Sequence, residues 1–170
     1  MSAMSVTSVE KDYDSLTLTI TAELDAPIDQ VWELWSDPRK LERWWGPPDY
    51  PAKFEKHDLS PGGEVTYFLT GPEGDRSWAA WRVTAADRPS SLEFTSTACA
   101  DADGTPAEDM AVHSVSVKLR ERDGGTRMEM RLSFELREDM EKLVEMGTPE
   151  GMQQAMGQMD ALLVAEQRDG

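Results

Sequence analysis

The chain has 170 residues, 17 of them Lys or Arg against 33 Asp or Glu, for a formal net charge of -16. That length suits one domain burying roughly 70% of its unfolded surface, and the negative charge repels phosphate backbones and anionic headgroups, so neither nucleic acid nor a membrane surface is an expected partner. A single cysteine, Cys99, leaves no internal disulfide framework.

Residues 1–13 are small, polar and aperiodic, and read as a flexible tail ahead of one domain over 14–168. Leu16, Leu18, Ile20, Ala22 and Leu24 then alternate with polar residues, the pattern of a half-buried strand. Asp25 and Pro27 are suited to cap and open a helix whose apolar side is Val31, Trp32, Leu34 and Trp35. Asp37-Pro38 restarts a second short helix, which runs into Trp44-Trp45-Gly46-Pro47-Pro48. The period next changes to two. Lys53–His57, Val65–Leu69, Trp78–Ala85 and Leu92–Ala98 read as strands, parted by turns at Pro61-Gly62-Gly63, Gly71–Gly74 and Asp87–Ser91. Residues 99–110 form a patternless acidic loop. His113–Arg120 and Met128–Leu136 alternate on either side of Asp123-Gly124-Gly125, as in a hairpin. Residues 138–146 suit a helix, which Gly147-Thr148-Pro149-Glu150 breaks and re-caps before a longer one. In that last segment Met152, Met156, Met159 and Leu163 recur at helical spacing.

The expected class is α+β. Short links imply an antiparallel sheet, its apolar face needs a cover, and the C-terminal helix is the element long enough to supply one. A curved sheet against one helix closes imperfectly, and an apolar cavity is the expected remainder. Alternation and helical spacing aim Trp45, Tyr67, Trp81, Phe94, His113, Met128, Met130, Met152 and Met156 toward it as candidate ligand-binding residues. Flexible thioethers tolerate irregular contents, although the same methionines would equally fill a core. His113 shares the inward face of its strand with Val115, Val117 and Leu119, and Tyr67 is similarly placed. These two are the candidates for hydrogen bonding to a ligand or for acid–base catalysis. Asp58 suits a turn-fixing role, and Cys99 falls on the opposite parity from Leu92 and Phe94. Two distant histidines, His57 and His113, make a metal site unexpected, and no motif calls for a cofactor.

No segment reaches the about 18 apolar residues of a membrane helix, and Met1–Asp14 lacks the order of a signal peptide, so the expected location is cytoplasmic. Three readings stand open: a binding protein for a small hydrophobic or aromatic molecule, a cyclase/dehydratase or hydrolase-like enzyme using the same cavity, and a protein-interaction module. Association into a homodimer is left open as well.

Several short segments carry a family resemblance: Ala26-Pro27 with Val31-Trp32 and Asp37-Pro38, Trp44-Trp45-Gly46-Pro47, Asp58–Gly63, Gly124–Arg127, and Glu150-Gly151-Met152 leading into Gln158–Leu163. In this order they resemble the SRPBCC (START/helix-grip) superfamily, in the branch similar to the C-terminal domain of the activator of heat-shock-protein ATPase. The resemblance implies a helix-grip, Bet v 1-like fold: a curved antiparallel sheet around a long C-terminal helix, with two short helices after the first strand and a hydrophobic cavity between helix and sheet. It implies no shared catalytic apparatus. Met152 stands where relatives often carry tryptophan. A chaperone partner, with the interaction module then of co-chaperone type, is left open but disfavoured, because 170 residues are expected to leave no room for the separate chaperone-contacting domain of the eukaryotic activators.

Overall fold

A computed structural model describes residues 6–46, 49–99 and 112–169. In chain order these form β1 (Val6–Asp12), β2 (Thr17–Leu24), α1 (Ile28–Ser36), α2 (Pro38–Trp44), β3 (Ala52–His57), β4 (Glu64–Thr70), β5 (Arg76–Asp87), β6 (Ser91–Cys99), β7 (His113–Arg122), β8 (Gly125–Ser133), α3 (Arg137–Glu145) and α4 (Thr148–Asp169). The strands make one antiparallel sheet in the order β1-β2-β8-β7-β6-β5-β4-β3. The chain leaves β2 near one edge, passes through α1 and α2, and re-enters at the opposite edge as β3. The two short helices therefore span the concave side, and α4 covers what they leave. The expected α+β helix-grip architecture is present.

Register shifts between Val6 and Ser8, Phe54 and Lys56, and Val83 and Ala85 introduce bulges that bend their strands. The β7–β8 hairpin turns through Asp123 at φ 50 and Gly124 at φ 85, the two positive angles of a type I′ turn. On the concave face, Leu18, Ile20, Ala22, Val115, Val117, Leu119, Met128 and Met130 meet Ala155, Met156, Met159 and Leu163 of α4, all buried in one core.

Three local expectations are corrected. Residues 6–12, read as tail, form edge strand β1, paired with β2 from Val6↔Ala22 to Asp12↔Thr17. Backbone hydrogen bonds hold this strand; of its side chains Val9 packs on the core, so no apolar alternation announces it. Asp25 does not cap α1: Pro27 is the N-cap, with no side-chain cap, and its carbonyl accepts from the Gln30 and Val31 N–H groups at 3.0 and 3.2 Å. The last strand stops at Ser133 and not at Leu136, which is 53% exposed and begins α3. The second helix does restart at Asp37-Pro38, where the Asp37 carboxylate caps α2 by accepting from Arg39 N at 2.9 Å. Residues 1–5, Pro47-Pro48 and the acidic loop from 100 to 110 lie outside the described residues.

One side chain ties the helical cover together. The Gln158 amide of α4 donates to the Gly46 carbonyl at 2.7 Å and to the Trp44 carbonyl at 3.3 Å, fastening the end of α2 to the long helix. Gly46 admits no side chain, since a Cβ there would lie 1.9 Å from the Tyr50 carbonyl oxygen. Gln158→Ala is expected to lower stability by about 1–2 kcal/mol, the cost of leaving part-buried carbonyls without their donor, read as a shift of the urea midpoint at unchanged slope.

Candidate functional site

The concave face is filled unevenly, and the inward side chains of β5 and β6 show why. Along β6 the inward series runs Leu92, Phe94, Ser96, Ala98; on β5, read back toward its start, it runs Trp81, Ala79, Ser77. Both strands step from large to small in the same direction, with Trp81 opposite Ser96 and Ala79 opposite Ala98. Where the side chains are large the interior is solid. Where they are small a cavity of about 300 Å³ remains, at the lower end of the roughly 300–1,000 Å³ of small-molecule sites.

Its sheet side comprises Tyr67, Leu69, Ser77, Ala79, Phe94, Ser96, Ala98, His113, Val115, Met130 and Leu132, with Trp78 at the margin. Trp45 closes one end. Leu143 and Met146 of the α3 segment, with Thr148, Gly151 and Met152 of α4, form the roof. Met146 is 61% exposed yet lines the cavity, so the mouth lies at the α3–α4 junction, where Gly147 turns the chain at φ 85.

Of the residues expected to face a ligand, Trp45, Tyr67, Phe94, His113, Met130 and Met152 line this cavity. Trp81, Met128 and Met156 do not. Trp81 lies beneath the lining, stacked on Phe94 at 4.1 Å between centroids and edge-on to Trp45 at 4.9 Å. Met128 is wholly buried, its sulfur accepting from the Trp35 indole N–H at 3.5 Å. Met156 is wholly buried in the packed part of the α4 interface. Each is on the expected face but in its solid region. Sequence reasoning overlooked Ser77, Ala79, Ser96, Ala98 and the α3–α4 junction as lining. The usable signal was a run of small residues at successive inward positions.

The solid region is an aromatic cluster. Trp35 contacts Trp44, Trp45 and Trp81 with centroids 4.8, 5.7 and 6.2 Å away. Phe54 stacks on Tyr67 at 4.8 Å, and Trp45 stands edge-on to Tyr67 at 6.1 Å. Trp44 Nε1 donates to the Leu34 carbonyl at 2.8 Å, and His57 Nε2 donates to the Trp35 carbonyl at 3.0 Å. His57 is thereby spent on structure. Asp58 serves its turn, accepting from the Ser60 hydroxyl at 2.5 Å and from Ser60 N at 3.1 Å, and these hydrogen bonds, the hydroxyl's first, hold its carboxyl below the ordinary range.

No Lys, Arg, Asp or Glu lines the cavity among the described residues. His113 stacks face to face on Phe134 at 5.4 Å, and burial lowers its pKa from 6.5 to about 4, so the imidazole is neutral at pH 7. Burial likewise raises the Tyr67 phenol above its usual value, and the Trp45 and Trp81 indoles beside it oppose this in part. The walls thus present one neutral imidazole, one protonated phenol and a few hydroxyls in an apolar lining. No hydrogen bond joins His113 to Tyr67. Among the described residues no group of three or more His, Cys, Asp or Glu is placed to hold a metal, and no helix is long and apolar enough to cross a membrane.

This geometry has solved counterparts. Protein Ms6760 from Mycobacterium smegmatis is 44% identical, with a TM-score of 0.87 over 93% of this chain and 96% of that one. A protein from Arthrobacter aurescens is 43% identical, with a TM-score of 0.90 over 94% and 92%. A Rhodobacter sphaeroides protein shares the fold at 21% identity, with a TM-score of 0.81 over 93% and 97%. No curated protein matches the chain. The sequence profile described as activator of Hsp90 ATPase homolog 1-like protein matches residues 25–164, from the end of β2 through most of α4, and the chain belongs to that family.

Proposed function

We propose that this protein binds a small apolar or aromatic molecule in the cavity between sheet and α4. The observation that carries the reading is the paired step from large to small side chains on β5 and β6. Ser77, Ala79, Ser96 and Ala98 lie under a roof that includes Gly151, which adds no side chain. A core selected for stability alone would fill such a space, since cavities cost on the order of 24 cal/mol per Å³. Bringing an apolar ligand into it recovers those contacts. The mixture of rings with Met130 and Met152 suits a flat molecule gripped by adaptable thioethers. His113 and Tyr67 supply orienting hydrogen bonds in this reading, and the acidic exterior keeps the apolar mouth soluble.

A neutral fluorescent probe, N-phenyl-1-naphthylamine, tests the proposal directly. Saturable, stoichiometric uptake by the native protein is the expected result. Ala98→Leu and Met152→Trp, which place bulk in the space, should each weaken uptake by about tenfold or more, equivalent to about 1.4 kcal/mol. Absence of uptake by the native fold would remove the binding reading and leave a protein-interaction role in its place.

His113 provides a second test, through stability. Its folded pKa of about 4 lies below the unfolded value of 6.5. The unfolded chain therefore binds the proton first, and stability present above pH 6.5 is lost as pH falls toward 4. Between pH 7 and pH 5 the native protein should lose on the order of 2 kcal/mol more than His113→Leu does. Urea unfolding of both proteins at the two pH values measures the difference, and parallel pH profiles would mean that the imidazole is not shielded.

A further inference from the structure

Resting on the cavity reading just proposed, we infer that the site selects uncharged molecules: a flat apolar body bearing one group, such as an amide or hydroxyl, that both donates and accepts a hydrogen bond at Ser96 and His113. These residues are directly opposed in the β6–β7 register and both line the cavity. Directly opposed residues place their Cβ atoms about 5 Å apart. The Ser96 hydroxyl and the His113 ring are therefore side by side, and neither has a hydrogen-bond partner among the described residues. Phe134, stacked on the imidazole, fixes the plane of the ring. A neutral imidazole offers one donor and one acceptor nitrogen, and a hydroxyl offers both functions. Side by side they complement an amide or an alcohol.

The rest of the lining acts by exclusion. A carboxylate would leave water for walls holding no Lys or Arg among the described residues, and an unpaired buried charge is heavily penalised. The net charge of -16 further lowers the concentration of anions near the mouth. An ammonium group finds no partner either, because no carboxylate lines the cavity among the described residues. Of the aromatic rings that could attract it, Tyr67 is stacked on Phe54, Phe94 on Trp81, and Trp45 stands edge-on to both Trp35 and Trp81, which leaves less π-face to offset the loss of its water.

Four naphthalenes that differ in one substituent separate these effects: 2-methylnaphthalene, 2-naphthamide, 2-naphthoate and 2-naphthylmethylammonium. Each is titrated at pH 7.5 by displacement of N-phenyl-1-naphthylamine. The amide is expected to bind most tightly, with both ions weaker by about tenfold or more. In Ser96→Ala and in His113→Leu the advantage of the amide over the methyl compound should shrink by about fivefold or more, with the methyl compound itself nearly unaffected. Ser96→Ala removes one oxygen atom and keeps the test decisive if the histidine variant fails to fold. If 2-naphthoate or the ammonium compound binds as tightly as the amide, the charge selection is wrong. If the amide has no advantage over the methyl compound, or keeps it undiminished in Ser96→Ala, the hydrogen-bonding role is wrong. Both outcomes leave the cavity reading standing. Failure of all four naphthalenes and of the displaced probe to bind would overturn the cavity reading, and this inference with it.

Discussion

The indoles of Trp35, Trp44, Trp45 and Trp81 converge where α1 and α2 cross the concave side of the sheet, and the placing of everything else depends on that contact. Trp35 comes from α1, Trp44 and Trp45 from the end of α2, and Trp81 from the middle of β5. Their edge-to-face packing leaves few ways to seat the short helices. Once they are seated, the Gly46 and Trp44 carbonyls stand where Gln158 can reach them, and α4 is fixed along the sheet. The Glu42 carboxylate of α2 also accepts from Phe54 N at 2.8 Å, which ties the helix to edge strand β3. A bulky, rigid knot at one end of the sheet therefore holds α4 at a set height over the other end, where smaller residues do not reach it. The cavity follows from this difference in side-chain size.

The same arrangement explains why the polar groups of the lining are uncharged. His113 sits one sheet row beyond the solid region, with Phe134 against its ring and Ser96 beside it. Solvation there is too poor to hold a proton on the imidazole at neutral pH. The Tyr67 phenol is kept protonated for the same reason. Charged side chains pair on the exterior, Arg127 with Glu23 at 2.6 Å on the convex face and Arg39 with Glu42 at 3.1 Å on α2. These pairs, each with an exposed arginine, add little stability. Their consequence is a charged exterior around an interior that is electrically quiet.

Most of the fold was legible because its signals are periodic. Alternation located β2 and the six strands from β3 to β8, the Asp-Gly pair located the β7–β8 turn, and Gly147 with Thr148 located the start of α4. β1 was not legible: an edge strand held by its backbone, with Ser8, Glu10 and Lys11 among its side chains, carries no apolar rhythm. In the candidate site, alternation assigned faces correctly yet could not assign depth. Trp81, Met128 and Met156 share faces with Phe94, Met130 and Met152, and their burial in packed core depends on what stands opposite, a tertiary fact. Searching for large apolar residues also pointed away from Ser77, Ala79, Ser96 and Ala98, whose contribution is the volume they leave unfilled.

That contribution separates the fold from the shape of its cavity. The hydrogen-bond ladder of β5 and β6 is made by backbone, so exchanging Ala79 or Ala98 for another residue compatible with a strand leaves the sheet and its register unchanged. Whatever such an exchange adds or removes appears in the cavity. The tryptophan knot and the Gln158 clamp, by contrast, hold α4 in place through packing and hydrogen bonds. Two sets of residues thus carry two functions: one fixes the height of the helix above the sheet, the other sets the shape of the space beneath it. A chain can keep the first set, and so the architecture, while the second is free to change the shape of the cavity. Membership of the family therefore fixes the container, and the contents must be read from the side chains of β5, β6, β7 and the α3–α4 junction.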